Sequence, residues 1–457
     1  MDRQLVCVDM DRSSQLGQDS IPRLLLRFSL PAIVGMTAQA LYNLIDRVFV
    51  GQALGPPGIA GTTVAFPFML IVLAFAMLIG FGATALISIR LGEQRKPEAE
   101  QVLASAVVLL LAGAALITAA GLLWLDDILV LFGASQSVLP YARDYLRIIC
   151  LGTVFQMLSF GLNAAIRGEG NPRIAMLTML ISVVLNAILA PLFIFKLHWG
   201  MKGAALATVV AQAVSATWVL AYFLGGRSVL KLHVRRLRLD GRLCRDIALI
   251  GSPPFAMQIA ASVMQSILNH QLRRHGGDLA ISVMGILYVM FMMVAMPIFG
   301  INQGAQPIMG YNYGARRFDR VKRTLVTAIA AATALALVGF ALAMLFPAQV
   351  IWLFNREDQA LLALGTHAMR ISMSMLPLIG FQVVSASYFQ AVGKPKEALL
   401  LMLSRQVLLL IPAVLILPRF FGLNGVWLAL PTADLGSSAF TGVCLFAELR
   451  RLQQSRS

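Results

Sequence analysis

The chain carries nearly the same pattern twice. Gly168-Glu169-Gly170-Asn171-Pro172 is echoed by Ala391-Val392-Gly393-Lys394-Pro395, and Gly200-Met201-Lys202-Gly203-Ala204 by Gly422-Leu423-Asn424-Gly425-Val426. Phe81-Gly82-Ala83 through Leu91-Gly92-Glu93 is echoed by Ile301-Asn302-Gln303-Gly304 through Tyr313-Gly314-Ala315. The offsets, 393 − 170, 425 − 203 and 314 − 92, are 223, 222 and 222. Chance glycines do not keep register over such a length, so the chain is an internal duplication, and each copy must fold into the same set of elements.

Composition names the solvent of those elements. The chain is 58% hydrophobic and only 13% charged, with a mean hydropathy of +0.79, against about 25% charged residues in a soluble domain. Apolar runs long enough to span a bilayer, at about 20 residues each, occur twelve times: 28–50, 59–88, 101–124, 142–165, 174–196, 201–224, 247–272, 279–306, 322–345, 366–389, 397–418 and 422–447. These are spans 1 to 12, and the first six map onto the second six. The expected fold is an all-α integral membrane protein with twelve transmembrane helices in two pseudo-symmetric six-helix bundles. An even number of spans per half makes the repeats parallel, an arrangement used by transporters, with a substrate site between or within the halves.

The net charge of +16 is a matter of orientation. Of the 37 Lys and Arg residues, 26 fall in the two tails and the alternate loops of one side, 6 in the opposite loops and 5 inside spans. That split follows the positive-inside rule and makes both termini cytoplasmic. It removes the argument for a nucleic-acid partner. The expected organisation is a cytoplasmic tail at 1–20, a first bundle at 21–224, a basic cytoplasmic linker at 225–246, a second bundle at 247–449 and a short cytoplasmic tail at 450–457. No cleavable signal peptide is visible before the first span. Cys7, Cys150, Cys244 and Cys444 are too dispersed for a disulfide framework or a zinc site. No Walker loop, G-x-S-x-G, H-E-x-x-H or nucleotide fingerprint is present, so no cofactor is expected. Energy for transport must come from an ion gradient, a partner or the substrate's own gradient.

What remains is polarity inside the bilayer, which is costly and usually functional. Asp46 in span 1 and Asp434 in span 12 are the acids placed there. Asp126, Asp127, Asp144 and Glu448 fall at span ends, where water is expected to reach them. Span 1 sets Gln39, Tyr42, Asn43 and Asp46 on one face at helical spacing, and such a stripe must face a cavity or another polar helix. Helix–helix hydrogen bonding is the plain alternative for Gln39 and Asn43, and a poor one for a carboxylate. Arg47 follows Asp46 directly but points elsewhere on the helix and is expected to snorkel to the outer interface, a gating or counter-ion role being the alternative. Asp46, Asn186 in span 5, Thr208 in span 6 and Tyr145 in span 4 all lie about four to ten residues below the outer surface, at a depth where they can converge.

Here the residues carry a resemblance. The run Gln39-Ala40-Leu41-Tyr42-Asn43-Leu44-Ile45-Asp46 looks like the first helix of the multidrug and toxic compound extrusion (MATE) family. Ile166-Arg167-Gly168-Glu169-Gly170-Asn171 resembles its loop after helix 4, and Gly300 through Ala315 the corresponding run of the DinF/MepA-like branch. The likeness covers about residues 22–450. It implies two six-helix bundles set as a V around a central cavity, and export of amphipathic, often cationic compounds in exchange for H⁺ or Na⁺. By motif match the ion-coupling residues of that branch fall on Asp46, Asn186, Thr208 and Tyr145.

One departure bears on the ion. The family reads L-N-x-x-x-D-P in helix 5, and this chain reads Leu185-Asn186-Ala187-Ile188-Leu189-Ala190-Pro191. With Ala190 in place of the second carboxylate, a Na⁺ site built on Asp46, Asn186 and Thr208 is weakened, whereas a single protonatable Asp46 suffices for a proton cycle. H⁺ is the expected coupling ion, with Na⁺ the alternative. In the second half Gln258, Ser262, Gln265 and Asn269 repeat the polar stripe without a charge, so the NorM-type arrangement, which needs an acid in helix 7, is absent. Asp434 is either a second proton or substrate contact or a hydrogen-bonded structural acid. Span 8 is rich in Met, and Met284 and Met293 are candidates to line a cavity for varied apolar shapes, ordinary packing being the alternative. Pro31, Pro191, Pro254 and Pro412 are places where helices can bend.

The expected protein is therefore an ion-coupled antiporter of the cell inner membrane, acting by alternating access on amphipathic small molecules, as a monomer in the lipid bilayer, and not an enzyme. A lipid-linked glycan flippase of the wider superfamily is the rival, kept open by Arg370 and Arg405.

Overall fold

The computed structural model describes residues 15–454 except 133, 135, 137, 227, 233–239 and 355–358. Within its helices, the side chains of residues 39–48, 51, 54–57, 59, 60, 266, 278, 353, 354 and 451–454 lie outside the description. Every described regular element is helical. Numbered in chain order, α1 (Ile21–Gly92) carries the first two spans, followed by α2 (Lys96–Leu123), α3 (Leu125–Leu131), α4 (Leu139–Gly168), α5 (Pro172–Pro191) and α6 (Gly200–Leu224). The second half opens with α7 (Gly241–Gly314), which carries two spans broken at Gly277. It continues through α8 (Phe318–Leu345), α9 (Pro347–Phe354), α10 (Gln359–Ser372), α11 (Leu376–Ala391), α12 (Pro395–Leu403), α13 (Ile411–Phe421) and α14 (Leu423–Gln454).

Ten helical stretches among the described residues are long and apolar enough to cross a bilayer, and the pair α10 and α11, bent by 47°, makes an eleventh. The helix expected as the twelfth span, α14, is not among them; it has 32 residues, about 48 Å at 1.5 Å per residue. Asp434, Ser437, Ser438 and Thr441 along its middle make it the least apolar of the set.

The duplication is visible in the backbone. Gly170 and Gly393 both hold positive φ, 100° and 75°, after spans 4 and 10. Gly200 and Gly422, at 51° and 56°, do the same before spans 6 and 12. Gln94 and Arg316 share the left-handed conformation, 62° and 55°, after spans 2 and 8. The repeated glycines seen in the sequence thus mark turns that an L side chain enters only at a cost. Proline opens the helix after each of the first pair: Pro172 starts α5 and Pro395 starts α12, where a missing N–H is harmless.

The chain divides into two compact units, and the division exchanges helix ends. One unit holds Val34–Phe255 with the segment ending at Asp19; the other holds Ser20–Ile33 with Ala256–Ser457. The breaks after Ile33 and Phe255 are 222 residues apart (255 − 33), so the exchange obeys the repeat. In the first unit the start of α7 lies against the end of span 2, so closely that a Cβ on Gly251 would sit 1.6 Å from the Leu78 carbonyl oxygen. In the second unit the start of α1 lies against the end of span 8, where a Cβ on Gly300 would meet Ile33 Cα at 2.9 Å. Small residues let backbones approach where the bilayer supplies no hydrophobic drive between helices.

The two units break their helices differently. In the first, a π-helical turn, Leu192–Lys196, directly follows Pro191. In the second, a π-helical run, Ser404–Leu410, lies in mid-span and ends just before Pro412. A proline removes a backbone donor and crowds the preceding turn, which favours such widened turns beside it.

Candidate functional site

In the first unit, α5 and α6 bring together two of the expected ion-coupling residues. Asn186 Nδ2 donates to Thr208 Oγ1 at 3.0 Å, and Thr208 Oγ1 donates to the Ala204 carbonyl at 3.2 Å. Both side chains are buried. Asn186 Oδ1 is buried without a hydrogen-bond partner among the described residues, which leaves an oxygen acceptor free to take a proton donor or a cation. Ala190, one turn further along α5, is buried beside it and brings no charge. The hydroxyl of Tyr145, on α4, points to the Met69 thioether at 3.9 Å. The side chains of Gln39, Tyr42, Asn43 and Asp46 lie outside the described residues, so the structure places their helix, α1, and not their contacts.

In the second unit, Gln265 Nε2 donates to Asn269 Oδ1 at 3.1 Å on an exposed face of α7, and Ser262 bonds the Gln258 carbonyl at 3.2 Å. Met284 is buried in the apolar core among Met264, Leu287 and Trp427, whereas Met293 is 67% exposed. Asp434 is buried and ion-paired: Arg405 Nε lies 2.5 Å from its Oδ1. Arg405 also lies 6.0 Å from the ring centre of Phe291.

One acid at a span end departs from expectation. Glu448 is only 4% exposed; Lys394 Nζ holds its two oxygens at 2.5 and 2.6 Å, and Tyr388 donates at 3.4 Å. The sequence places it in water, but Tyr388 of α11 and Lys394, just before α12, pack over it and exclude solvent. Glu169 is buried too. It accepts hydrogen bonds from Tyr222 and Ser228 and, at 3.4 Å, from the Leu230 N–H. This carboxylate fastens the start of the segment after α6. By contrast Asp126, paired with Arg143 at 2.6 Å, is half exposed, as its position at a span end implies. Reading acids singly misses the partners of Asp434, Glu448 and Glu169. The depth matching that grouped Asn186 with Thr208 was the signal that could have paired Arg405 with Asp434.

A duplicated, all-helical, multi-pass membrane protein with its buried polar groups cross-linking helices inside each half has the organisation of a solute transporter. Comparison with known proteins narrows the class. The MatE family profile matches residues 31–192 and 253–415, two stretches that begin 222 residues apart (253 − 31). The multidrug export protein MepA of Staphylococcus haemolyticus is 28% identical over 417 residues, 91% of each chain; that of Staphylococcus aureus is 27% identical over 410 residues, 90% of each. Among solved structures, the MATE multidrug transporter DinF-BH is 43% identical, with a TM-score of 0.89 over 95% of this chain and 98% of that one. A MOP superfamily transporter from Pyrococcus furiosus is 26% identical, with a TM-score of 0.91 over 97% and 99%. The chain belongs to the MATE family, in its DinF/MepA-like branch. It is a membrane transporter and not an enzyme.

Proposed function

We propose that this MATE transporter is a multidrug exporter that exchanges H⁺ for amphipathic, cationic small molecules across the inner membrane, with both termini cytoplasmic and the first bundle holding the coupling site. The observation that carries the choice of ion is Ala190. With no carboxylate one turn from Asn186, Asp46 is the acid assigned to the Asn186–Thr208 pair in this reading, and one acid with amide and hydroxyl neighbours suits a proton better than Na⁺, which takes several oxygen ligands and a compensating charge. The unpartnered Asn186 oxygen is the acceptor that a protonated Asp46 would use.

In the proposed cycle, protons from outside reach Asp46, the protonated first bundle favours the state that releases substrate outward, and the cavity then turns inward and loses the proton to the cytoplasm. Ion and substrate must prefer different states, because a ligand with equal affinity for both shifts nothing. The Na⁺ reading is kept by the same oxygens, Asn186 Oδ1 and Thr208 Oγ1. The flippase reading loses ground, since Arg405, one of its two cations, is neutralised by Asp434.

Efflux of ethidium from proteoliposomes under a pH gradient and, separately, a Na⁺ gradient tests the reading. Efflux driven by pH and reduced at least about tenfold, roughly 1.4 kcal/mol in rate terms, by Asp46→Asn is expected. Efflux driven by Na⁺ alone, or untouched by Asp46→Asn, overturns it.

A further inference from the structure

The second bundle holds more buried polarity than its fold requires. Along α14, Asp434, Ser437, Ser438, Thr441 and Glu448 recur at intervals of three, four and seven, so they share one face. The distance from Asp434 to Glu448 is 14 residues, about 21 Å at 1.5 Å per residue. Two contacts fix the register of α11 beside this face. Gln382 Nε2 donates to Ser437 Oγ at 2.5 Å, and two turns later Tyr388 donates to Glu448 at 3.4 Å. Ser385, between Gln382 and Tyr388, therefore faces the stretch that carries Ser438 and Thr441. At the Asp434 end, Ser404 Oγ lies 3.3 Å from Ser437 Oγ, and its chain neighbour Arg405 holds Asp434. At the other end Lys394 holds Glu448.

Gln382 Oε1, Ser385 Oγ, Ser438 Oγ and Thr441 Oγ1 are buried without a hydrogen-bond partner among the described residues. Membrane helices commonly satisfy such hydroxyls on the preceding turn, as Thr432 does on the Leu428 carbonyl at 2.9 Å. These do not. Buried polar groups that the protein leaves unpaired cost free energy unless water joins them. The other half of the chain shows that packing does not demand them. At the repeat offsets, Ser385 corresponds to Leu162, Ser438 to Ala216, Thr441 to Val219, Ser404 to Ile181, Arg405 to Ser182 and Asp434 to Gln212. Among the described residues, the Gln382–Ser437 bond alone has a counterpart, Ser159 with Ser215 at 2.7 Å.

We propose that this file of hydroxyls is a hydrated proton route through the second bundle, joining a proton site at Asp434 to the end of α14 at Glu448. Along it each hydroxyl or bridging water accepts a proton on one lone pair as it gives up another, so no atom is gained or lost. On the inward leg the acid hydrogen of Asp434 passes along the file to Glu448, and Glu448 loses a proton to water beyond the helix end. Pairing with Arg405 and protonation are alternatives for Asp434, so the state in which Arg405 withdraws is the one that takes the proton. Among the described residues, Arg405 is the only charged side chain bonded to Asp434. The other titratable groups on the elements packed against α14, namely His367, Arg370, Tyr388, Lys396, Glu397 and Arg419, make no hydrogen bond or ion pair with it. The proposal rests on the H⁺ reading above and adds a second protonation site to it.

The test is pH-driven ethidium efflux by the full-length chain in proteoliposomes, comparing wild type with Ser385→Ala/Thr441→Val. The two changes remove the hydroxyls in favour of small or isosteric apolar groups like those of the first half, so melting close to wild type is expected. Loss of pH-driven efflux by at least tenfold, with return to within threefold in Thr441→Ser, supports the route. Wild-type rates in the double variant overturn it while leaving the Asp46 reading intact. Absence of pH-driven efflux in wild type overturns both. If the double variant fails to fold, Ser438→Ala, which installs the residue found in the first half, is read in its place: a threefold or greater loss supports the route and an unchanged rate sinks it.

Discussion

The two halves keep the same turns and spend their buried polarity in different places. In the first, spans 5 and 6 are cross-linked by a neutral pair, Asn186 and Thr208; the equivalent positions in the second, Leu409 and Leu430, are apolar. In the second, spans 11 and 12 are cross-linked by Arg405 and Asp434, where the first has Ser182 and Gln212. The acid–tyrosine pair at the basic-loop end is also transposed. In the first half Glu169 comes from the loop after span 4 and Tyr222 from span 6. In the second, Tyr388 comes from span 10 and Glu448 from span 12. Backbone turns are thus what the duplicated fold demands, and the buried ionisable groups are what each half has added. An added charge in the bilayer needs a partner to be tolerated, and each of these has one.

The largest test of that contrast is Asp434→Asn. It leaves Arg405, 20% exposed, without its counter-charge, and breaking a buried pair from one side costs about 3–5 kcal/mol, somewhat less where water reaches the cation. Installing the first-half residues together, Arg405→Ser/Asp434→Gln, removes both charges and is expected to melt well above the single variant. Thermal unfolding in detergent reads the order. A double variant as unstable as Asp434→Asn would mean that the fold itself depends on the pair.

The transposed carboxylates come next. Glu169→Gln turns an acceptor of hydrogen bonds from Tyr222, Ser228 and the Leu230 N–H into a group with a donor on one side. The expected cost is about 1–3 kcal/mol, with faster proteolysis at residues 228–231. Glu448→Gln should cost less, about 1 kcal/mol or below, because Lys394 is 28% exposed and can turn to water. Equal losses, or no change in cleavage at 228–231, would remove the distinction between a carboxylate that fastens a segment and one that neutralises a lysine.

How much of this was legible in the sequence depended on the range of the interaction. Turns are local: Gly170 and Gly393, Gly200 and Gly422 could be read as repeated punctuation, and the structure gives each a positive φ. Spans are local too, and the twelve runs survive as helices, although span 10 is split between α10 and α11. Depth along a helix is nearly local, which is why Asn186 and Thr208 were grouped before their contact was known. Rotation about a helix is not. Depth sets Arg405 level with Asp434, but no count from the span ends gives the rotation that aims one at the other, and the π-helical run Ser404–Leu410, in which Arg405 lies, departs from the regular α-helical turn. Glu448 was misread for a related reason: a residue near the end of an apolar run is solvated only if no neighbour covers it. The contacts of Asp46 stand outside both kinds of reading, since its side chain lies outside the described residues.

The smallest expected effect concerns a polar cross-link that both halves keep. Ser159 and Ser215 meet at 2.7 Å, and Gln382 and Ser437 at 2.5 Å, between spans 4 and 6 and spans 10 and 12. Ser215 also bonds the Thr178 carbonyl at 3.1 Å, so Ser215→Ala removes a hydroxyl whose partners are the part-buried Ser159 and a carbonyl inside a helix. A loss of about 0.6 kcal/mol is expected, the usual worth of a hydrogen bond between membrane helices. Ser437 instead sits between Gln382 Nε2 and Ser404 Oγ, in a core where Gln382 Oε1 already has no partner among the described residues. Ser437→Ala strands a second atom of the same amide, and the expected loss is about 1–3 kcal/mol. Unfolding of the two alanine variants under identical conditions decides. If Ser215→Ala proves as costly as Ser437→Ala, the second bundle's polar core is no more interdependent than the first's, and the shared cross-link is part of the duplicated fold instead of the root of the file that grew around one copy of it.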